Sequence, residues 1–193
     1  MKFAIFMRKL LKIAEFFAMI IVAKRMEVTD MLTCKETKAV QSHIIMYPHL
    51  NAHRTLFGGQ LMQWLDESGG ISAVRLSRSG VVTASIDHLD FLHPLEHGHA
   101  VCIESYVSGV GHRSIEVFSK AIGENLITGE RYLANTSFMT FVVKEKGLAL
   151  PAIQPETEEE VYICSGYNER RAKRETQIKQ SIDLAKNISL KLK

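Results

Sequence analysis

The stretch Asn51-Ala-His-Arg-Thr-Leu-Phe-Gly-Gly59-Gln-Leu-Met-Gln-Trp-Leu-Asp66-Glu67 decides the fold. His49–Gly59 reads as a loop that carries Asn51 and closes on the Gly58-Gly59 pair. From Gln60 the pattern becomes that of a helix running to Ser77. Leu61, Trp64, Leu65, Ser68, Ala73 and Leu76 recur there at steps of three, four and five. Met62, Ile71 and Val74 put apolar groups on the other faces, which predicts a helix enclosed by the protein rather than lying on its surface. Gly69 and Gly70 each cost about 1 kcal/mol relative to Ala inside a helix, so their presence predicts a close approach of neighbouring backbone. The glycines at the start have a different use. The first N–H groups of a helix lack intrahelical acceptors and face an oxygen with partial negative charge, and Gly leaves that approach free of a Cβ.

Strands surround this helix on both sides in the sequence. Gln41–Tyr47, with His43, Ile44, Ile45 and Met46, reads as a short strand stopped by Pro48. Four more candidates follow the helix: Val81–His88, Ala100–Val107, Ser114–Ile122 and Tyr132–Val143, separated by Pro- and Gly-containing turns. In the third, Ile115, Val117, Phe118 and Ala121 interleave with Glu116, Ser119 and Lys120. The order strand, long helix, four strands predicts an α+β architecture, an antiparallel sheet wrapped around one buried helix. Residues 38–153 form that domain in this reading, after a basic extension over 1–37 and before a Pro- and Glu-rich linker and basic helix or tail over 154–193.

With 193 residues, the chain has room for one ordinary domain and some tail. The net charge of +3 is a sum of unlike parts. Lys2, Arg8, Lys9, Lys12, Lys24 and Arg25 against Glu15 give residues 1–26 a balance of +5. Residues 168–193 reach +5 again, and the ten basic and seventeen acidic side chains between leave −7. An acidic body of this kind argues against nucleic acid as a partner. In the leader, Arg8, Lys9, Lys12 and Glu15 break the apolar run, leaving the eight residues Phe16–Ala23. A bilayer needs roughly 20 in a helix. A poor signal sequence, a basic helix touching membrane, and an extension ahead of a start near Met26 are the readings, and the polar sequence after Met26 favours the last. Cys34, Cys102 and Cys164 are odd in number and form no CxxC pair, which predicts free structural thiols and a cytoplasmic protein.

Asp66 lies seven residues beyond Gly59, almost on the same helix face. At about 1.5 Å per residue the two are roughly 10 Å apart, too far for Asp66 to act as base on a carbonyl held at its own helix start. A second copy of the helix alongside removes the difficulty, so a catalytic Asp66 predicts a dimer with composite sites. A hydrogen-bonded structural acid is the other reading of the same residue.

Thr55-Leu-Phe-Gly-Gly59 with Asp66-Glu67, then Val81-Val-Thr-Ala-Ser-Ile-Asp87, Phe91-x-x-Pro94 and Gly111-His-Arg-Ser-Ile-Glu-Val117, occur as an ordered set. Over about residues 38–175 this set resembles the hotdog-fold acyl-CoA thioesterases of the cytosolic acyl-CoA hydrolase type. The resemblance implies a hotdog fold, a long central helix wrapped by a five-stranded antiparallel sheet. It implies homodimers, commonly trimers of dimers, that hydrolyse fatty or short-chain acyl-CoA to free acid and CoA. No cofactor is implied, CoA being part of the substrate. The family's catalytic Asn falls on Asn51 and its catalytic Asp on Asp66, joined across the dimer interface, with the Gly59 N–H polarising the thioester carbonyl. Asp66 is then either the base for water or the nucleophile.

The CoA portion calls for cations near its phosphates. The candidates are Gly58 at the helix start, Arg113 with Ser114 after the Gly111 turn, and Arg170, Arg171 and Arg174 in the C-terminal basic cluster. A solvated helix face explains that cluster as well. Thr83 and Ser85 alternate with Asp87 on one face of their strand and are expected to line the pantetheine channel, a structural role being the alternative. One departure stands out: the family usually has Gly where this chain has Arg54. His88, His93, His97 and His99 fit no zinc spacing, so no metal is expected. Ser68 lacks the GxSxG context of a nucleophile elbow, no spacing ties Cys102 to a base, and Phe138–Phe141 reads as core. The rival from another class is a non-catalytic acyl-CoA-binding or regulatory hotdog protein. A hotdog dehydratase is a weaker one, its His-led loop and helical Glu being unmatched.

Overall fold

The structure, a computed structural model, describes residues 31–191; the basic leader within residues 1–30 lies outside the described residues. The chain opens with β1 (Met31–Thr33) and the short helix α1 (Cys34–Thr37), where Thr33 and Glu36 form a reciprocal capping box. β2 (Ala39–Ile44) follows, then a 3₁₀ turn at Tyr47–His49 and the helix α2 (Gly58–Ser77). Next come the long strands β3 (Val81–Phe91), β4 (Ala100–Val110), β5 (Ser114–Glu124) and β6 (Arg131–Val143). A short β7 (Ala152–Gln154) leads into α3 (Glu158–Ser165) and α4 (Tyr167–Lys186).

Five strands form one antiparallel sheet in the order β2-β4-β5-β6-β3, and β1 pairs with β7 in a separate two-stranded sheet. β2 and β3 are therefore the exposed edges of the main sheet. α2 packs into its inner face, burying Leu61, Trp64, Leu65, Ser68, Ala73 and Leu76, the row expected from the sequence. Val101, Ile103, Val107, Ile115, Val117, Met139 and Phe141 face it from the sheet. This is the α+β hotdog arrangement, a long helix wrapped by five antiparallel strands.

Gly69 explains the cost of a mid-helix glycine, although the close neighbour is a side chain rather than backbone. A Cβ there would come within 3.0 Å of the Phe141 ring, which is buried in the core. At Gly70 the same ring would be 3.9 Å away, an ordinary contact. Met62, Ile71 and Val74 are 36%, 41% and 43% exposed, so, contrary to the enclosure its apolar pattern predicts, the single chain does not cover α2 on every face.

The outer face of the sheet is covered too. Cys34, Tyr106 and Phe118 form a second apolar cluster, joined by Phe138, Ile153, Ile163 and Cys164. Phe138 and Phe141 thus belong to opposite faces, as strand alternation requires. Glu116, read from the alternation of β5 as a solvent-side residue, is instead buried, because α4 lies over it. Residues 32–37, placed in the extension by sequence, are part of the packed unit: Cys34 and Thr37 are buried, and the Thr37 hydroxyl accepts the Val107 N–H at 3.0 Å. The Cys34 and Cys164 thiols are free and 3.7 Å apart. Among the described residues no helix is long and apolar enough to cross a membrane.

Candidate active site

α2 starts at Gly58 without a side-chain cap. The N–H groups of Gln60 and Leu61 reach the Phe57 carbonyl at 2.9 and 3.2 Å, so those of Gly58 and Gly59 precede the helical ladder. Beside this end lies a cavity of about 390 Å³ lined by Asn51, Thr55, Gly58, Leu61, Phe91 and His93, among others. Gly58 rather than Gly59 is the glycine on its wall. Gly59 sits under the Phe57 ring, which a Cβ there would meet at 2.5 Å. Sequence reasoning gave no role in the site to Thr55, Phe91 or His93; the available signals were the Thr55-Leu-Phe-Gly-Gly59 block for the first and the Phe91-x-x-Pro94 block for the other two.

The loop before α2 is braced around Asn51. Its Oδ1 accepts the N–H groups of His53 and Thr55 at 2.8 and 3.3 Å, and its Nδ2 donates to the Thr55 hydroxyl at 2.9 Å. The amide is thereby fixed at the cavity wall. The turn this requires puts Arg54 at φ 62°, in the left-handed region that favours glycine. A glycine, which the resemblance leads one to expect here, would hold that backbone without strain.

Asp66 is elsewhere. It does not line the cavity, and it lies half-buried on α2 facing the edge strand β3. The Thr83 hydroxyl donates to its Oδ1 at 2.6 Å, and among the described residues its Oδ2 accepts no hydrogen bond. Asn51 and Asp66 of one chain are therefore not brought to one place, whereas Asn51 and Gly58 are, and so are Asp66 and Thr83.

The expected alternation of Thr83, Ser85 and Asp87 on one face fails for a definite reason. The pairing of β3 with β6 shifts register between Thr83 and Ser85, and again between Ile86 and His88. Thr83 pairs opposite Phe141 of the inner core and turns toward α2. Ser85 pairs opposite Thr140 and, with Asp87, turns to the outer face. There the Asp87 carboxylate accepts from the Ser85 and Thr140 hydroxyls at 2.6 and 2.5 Å and pairs with Arg174 at 3.0 Å.

The cations expected at CoA divide accordingly. Arg174 is 7% exposed and bridges Asp87 to Glu116, while Arg170 bonds Glu116 at 2.8 Å and lies over the Phe138 ring at 4.0 Å. Both point inward and are engaged by carboxylates. Arg171 is at the surface, paired with Glu175 at 3.1 Å. Arg113 donates from Nη2 to the Val143 carbonyl at 2.9 Å, and its Nε is buried without a partner among the described residues. Ser114 stands beside it at the head of β5, its carbonyl accepting the Gly111 N–H at 2.8 Å. The four histidines also have other occupations: His88 pairs with Asp90 at 2.6 Å, His99 meets the Tyr132 hydroxyl at 2.9 Å, and His93 and His97 contact Tyr132 and Tyr47. Among the described residues no three His, Cys, Asp or Glu side chains are placed to hold one metal ion.

Known proteins with this sequence pattern and this geometry agree with one another. Residues 53–125 match the thioesterase superfamily. An uncharacterized acyl-CoA thioester hydrolase of Bacillus subtilis is 44% identical over 163 residues, covering 83% of this chain and 95% of its own. An acyl-CoA hydrolase of Staphylococcus aureus, solved with butyryl coenzyme A, coenzyme A and coenzyme A disulfide, superposes with a TM-score of 0.77. It has 28% identity over 81% of this chain and 98% of its own. Alanine variants of that enzyme at an aspartate, a threonine and an asparagine have been solved as well, the last with coenzyme A. A hexameric acyl-CoA thioesterase gives a TM-score of 0.73 at 31% identity, covering 77% of this chain and 97% of that one. A relative 44% identical along nearly its whole length, and solved structures that superpose over about four fifths of this chain, place it by sequence and by fold alike: the chain belongs to the hotdog-fold acyl-CoA thioester hydrolases.

Proposed function

We propose that two copies pair along the edge strand β3 and that each active site is composite, with Asp66 and Thr83 from one copy facing Asn51 and the α2 N-terminus of the other. The observation that carries this is the separation just described: the cavity holds Asn51 and Gly58, and the carboxylate that would act there is on another part of the same chain. On the edge strand β3, Ile86 pairs opposite Met139 on the α2 side and Val82 opposite Val142 on the outer side; each is 45% exposed, an apolar edge that a second copy covers. A hexameric relative supports assembly beyond the dimer, as a trimer of dimers.

The three side chains replaced by alanine in the S. aureus enzyme, an asparagine, an aspartate and a threonine, are separated by 15 and 17 residues. Asn51, Asp66 and Thr83 have the same separations, which supports their assignment as a set. In the reaction the helix-start N–H groups of Gly58 and Gly59 polarise the thioester carbonyl. Asn51 positions the carbonyl or the water. Asp66, oriented by the Thr83 hydroxyl, removes a proton as water adds to the carbonyl carbon. The C–S bond then breaks, and the proton passes to the departing CoA sulfur, giving acid and free thiol. Direct attack by Asp66 is the other course of the same geometry. We propose that no metal or further cofactor takes part, CoA being carried by the substrate.

For the CoA phosphates the reading retains Arg113, Ser114 and Arg171, which have surface access or lie at the β5 turn; Ser85, expected to line the pantetheine channel, takes the structural alternative, its hydroxyl donating to Asp87 at 2.6 Å. Arg170 and Arg174 act instead through the fold, holding α4 to the sheet. A cytoplasmic site of action rests on the three unpaired cysteines. Thiol release from a panel of acyl-CoA chain lengths tests the activity. Hydrolysis of at least one chain length, reduced about 10²–10⁴-fold by Asp66→Asn, is expected. Binding of every chain length without thiol release would make the protein the non-catalytic binder.

A further inference from the structure

α4 crosses the outer face of the sheet and then outruns it. The Tyr167 ring lies against Gly109 of β4, Arg170 bonds Glu116 of β5 and covers Phe138 of β6, and Arg174 reaches Asp87 of β3. That succession follows the strand order β4-β5-β6-β3, so the helix runs toward the β3 edge. Beyond Arg174 every residue to Lys186 is exposed. At about 1.5 Å per residue these last turns extend roughly 18 Å past the edge strand, the width of three to four further strands at about 4.8 Å each. The face that packs on the sheet does not end with it. Tyr167, Arg170 and Arg174 continue at helical spacing into Ile178 and Ile182, which are 50% and 57% exposed. A helical segment of this length with nothing to pack against is marginal in water.

We propose that the second half of α4 is a dimerisation arm, lying on the outer face of the second copy's sheet with Ile178 and Ile182 packed against it. The inference rests on the pairing of β3 edges. Continuing the sheet through that edge places the second copy's strands in the surface α4 already follows. The twofold relation gives the arm of each copy an equivalent seat on the other, so the two arms run antiparallel across the seam. Of the charged groups at this seat, Asp90 on the outer face of the strand is held by His88 at 2.6 Å and Lys186 on the arm by Asp183 at 3.5 Å, which leaves Lys179 as the cation the arm brings to the contact.

The test is the concentration at which the full-length protein dissociates to protomers, read by mass photometry and sedimentation. The variants are I178E/I182E, a chain ended after Glu175, V82R/I86R on the strand edge, and Ile127→Glu in a 95% exposed turn as a control. The arm variant and the shortened chain should each dissociate at a concentration at least tenfold higher than the native chain, with Ile127→Glu unchanged. Dissociation by V82R/I86R alone would overturn the arm and leave the β3 seam standing. No effect of V82R/I86R would overturn the seam and the arm with it. Unchanged dissociation together with lost binding of I178E/I182E to phosphatidylglycerol vesicles would overturn the arm and make α4 a lipid contact.

Discussion

Replacing Arg174 with Met keeps the aliphatic stem that fills the space between α4 and the sheet and removes only the charge. Arg174 is 7% exposed, and its partners Asp87 and Glu116 are 12% and 0% exposed. Deleting one member of a buried ion pair and leaving the other uncompensated costs about 3–5 kcal/mol. Here neither carboxylate is wholly abandoned. Glu116 keeps Arg170 at 2.8 Å and the Ser108 hydroxyl at 2.8 Å, and Asp87 keeps the Ser85 and Thr140 hydroxyls. The expected loss is therefore below that range, about 2–3 kcal/mol. With a urea slope of about 2 kcal/mol/M the midpoint falls by roughly 1 M without a change of slope, at fixed protein concentration. In the same preparation the KM for acyl-CoA should stay within about twofold of native, a small fraction of the tenfold that 1.4 kcal/mol of lost binding would give. A variant as stable as the native chain with a KM raised tenfold would refute the reasoning and make Arg174 a phosphate ligand.

Gly69→Ala should destabilise the protein by about 1–2 kcal/mol, because the added methyl is forced on a buried Phe141 ring and overpacking outweighs the gain in helix propensity. Gly70→Ala, with room at the same ring, should be neutral or stabilising by up to about 1 kcal/mol, and a reversed order in urea denaturation would contradict the packing described. Arg54→Gly should raise stability by about 1 kcal/mol by relieving the left-handed backbone, and a thermal midpoint that falls would show the Arg54 side chain to hold the loop itself. Burial holds the His43 imidazole, stacked 4.0 Å from Trp64, below its ordinary value; Glu67 opposes this and His49 adds to it. The folded state thus prefers the neutral ring, and this contribution is full above the unfolded value of about 6.5 and is lost as pH falls through the folded one. Urea midpoints taken from pH 7.5 downward should fall more steeply for the native chain than for His43→Phe, and parallel profiles would contradict the assignment.

The helix at the centre of the fold was legible because its buried face is written in large apolar residues, Leu61 to Leu76, and its start in two glycines. The five strands of the main sheet were legible for the same reason, to within a few residues at their ends, whereas the three-residue β1 and β7 are too short to carry an alternation. The outer layer was not. Glu116 alternates on β5 as a solvent-facing residue would, and nothing in a single strand tells that a helix fifty residues later brings two arginines to cover it. The basic cluster had the same ambiguity from the other side, since a cation destined for a phosphate and one destined for a buried carboxylate are the same letters. Thr83 and Ser85 were assigned one face by alternation, and the register shift between them, a property of the pairing with β6, reversed one of them. The site was legible as residue types and only half legible as geometry. Asn51, Gly58 and Asp66 stood out, and the helix rise already separated Asp66 from the glycines. Phe91 and His93 reached the cavity through the turn at Pro94 and carried no chemical signal of their own.

The composite site is tested most directly by subunit complementation. Asn51→Ala and Asp66→Asn chains, each inactive alone, are unfolded, mixed in equal amounts and refolded together, and thiol release is measured. If Asn51 and Asp66 act across the interface, random pairing puts one intact site in every mixed dimer, and activity should return to about one quarter of native. If they act within one chain, every site in the mixture lacks one of the two residues, and the mixture will be as inactive as its parents.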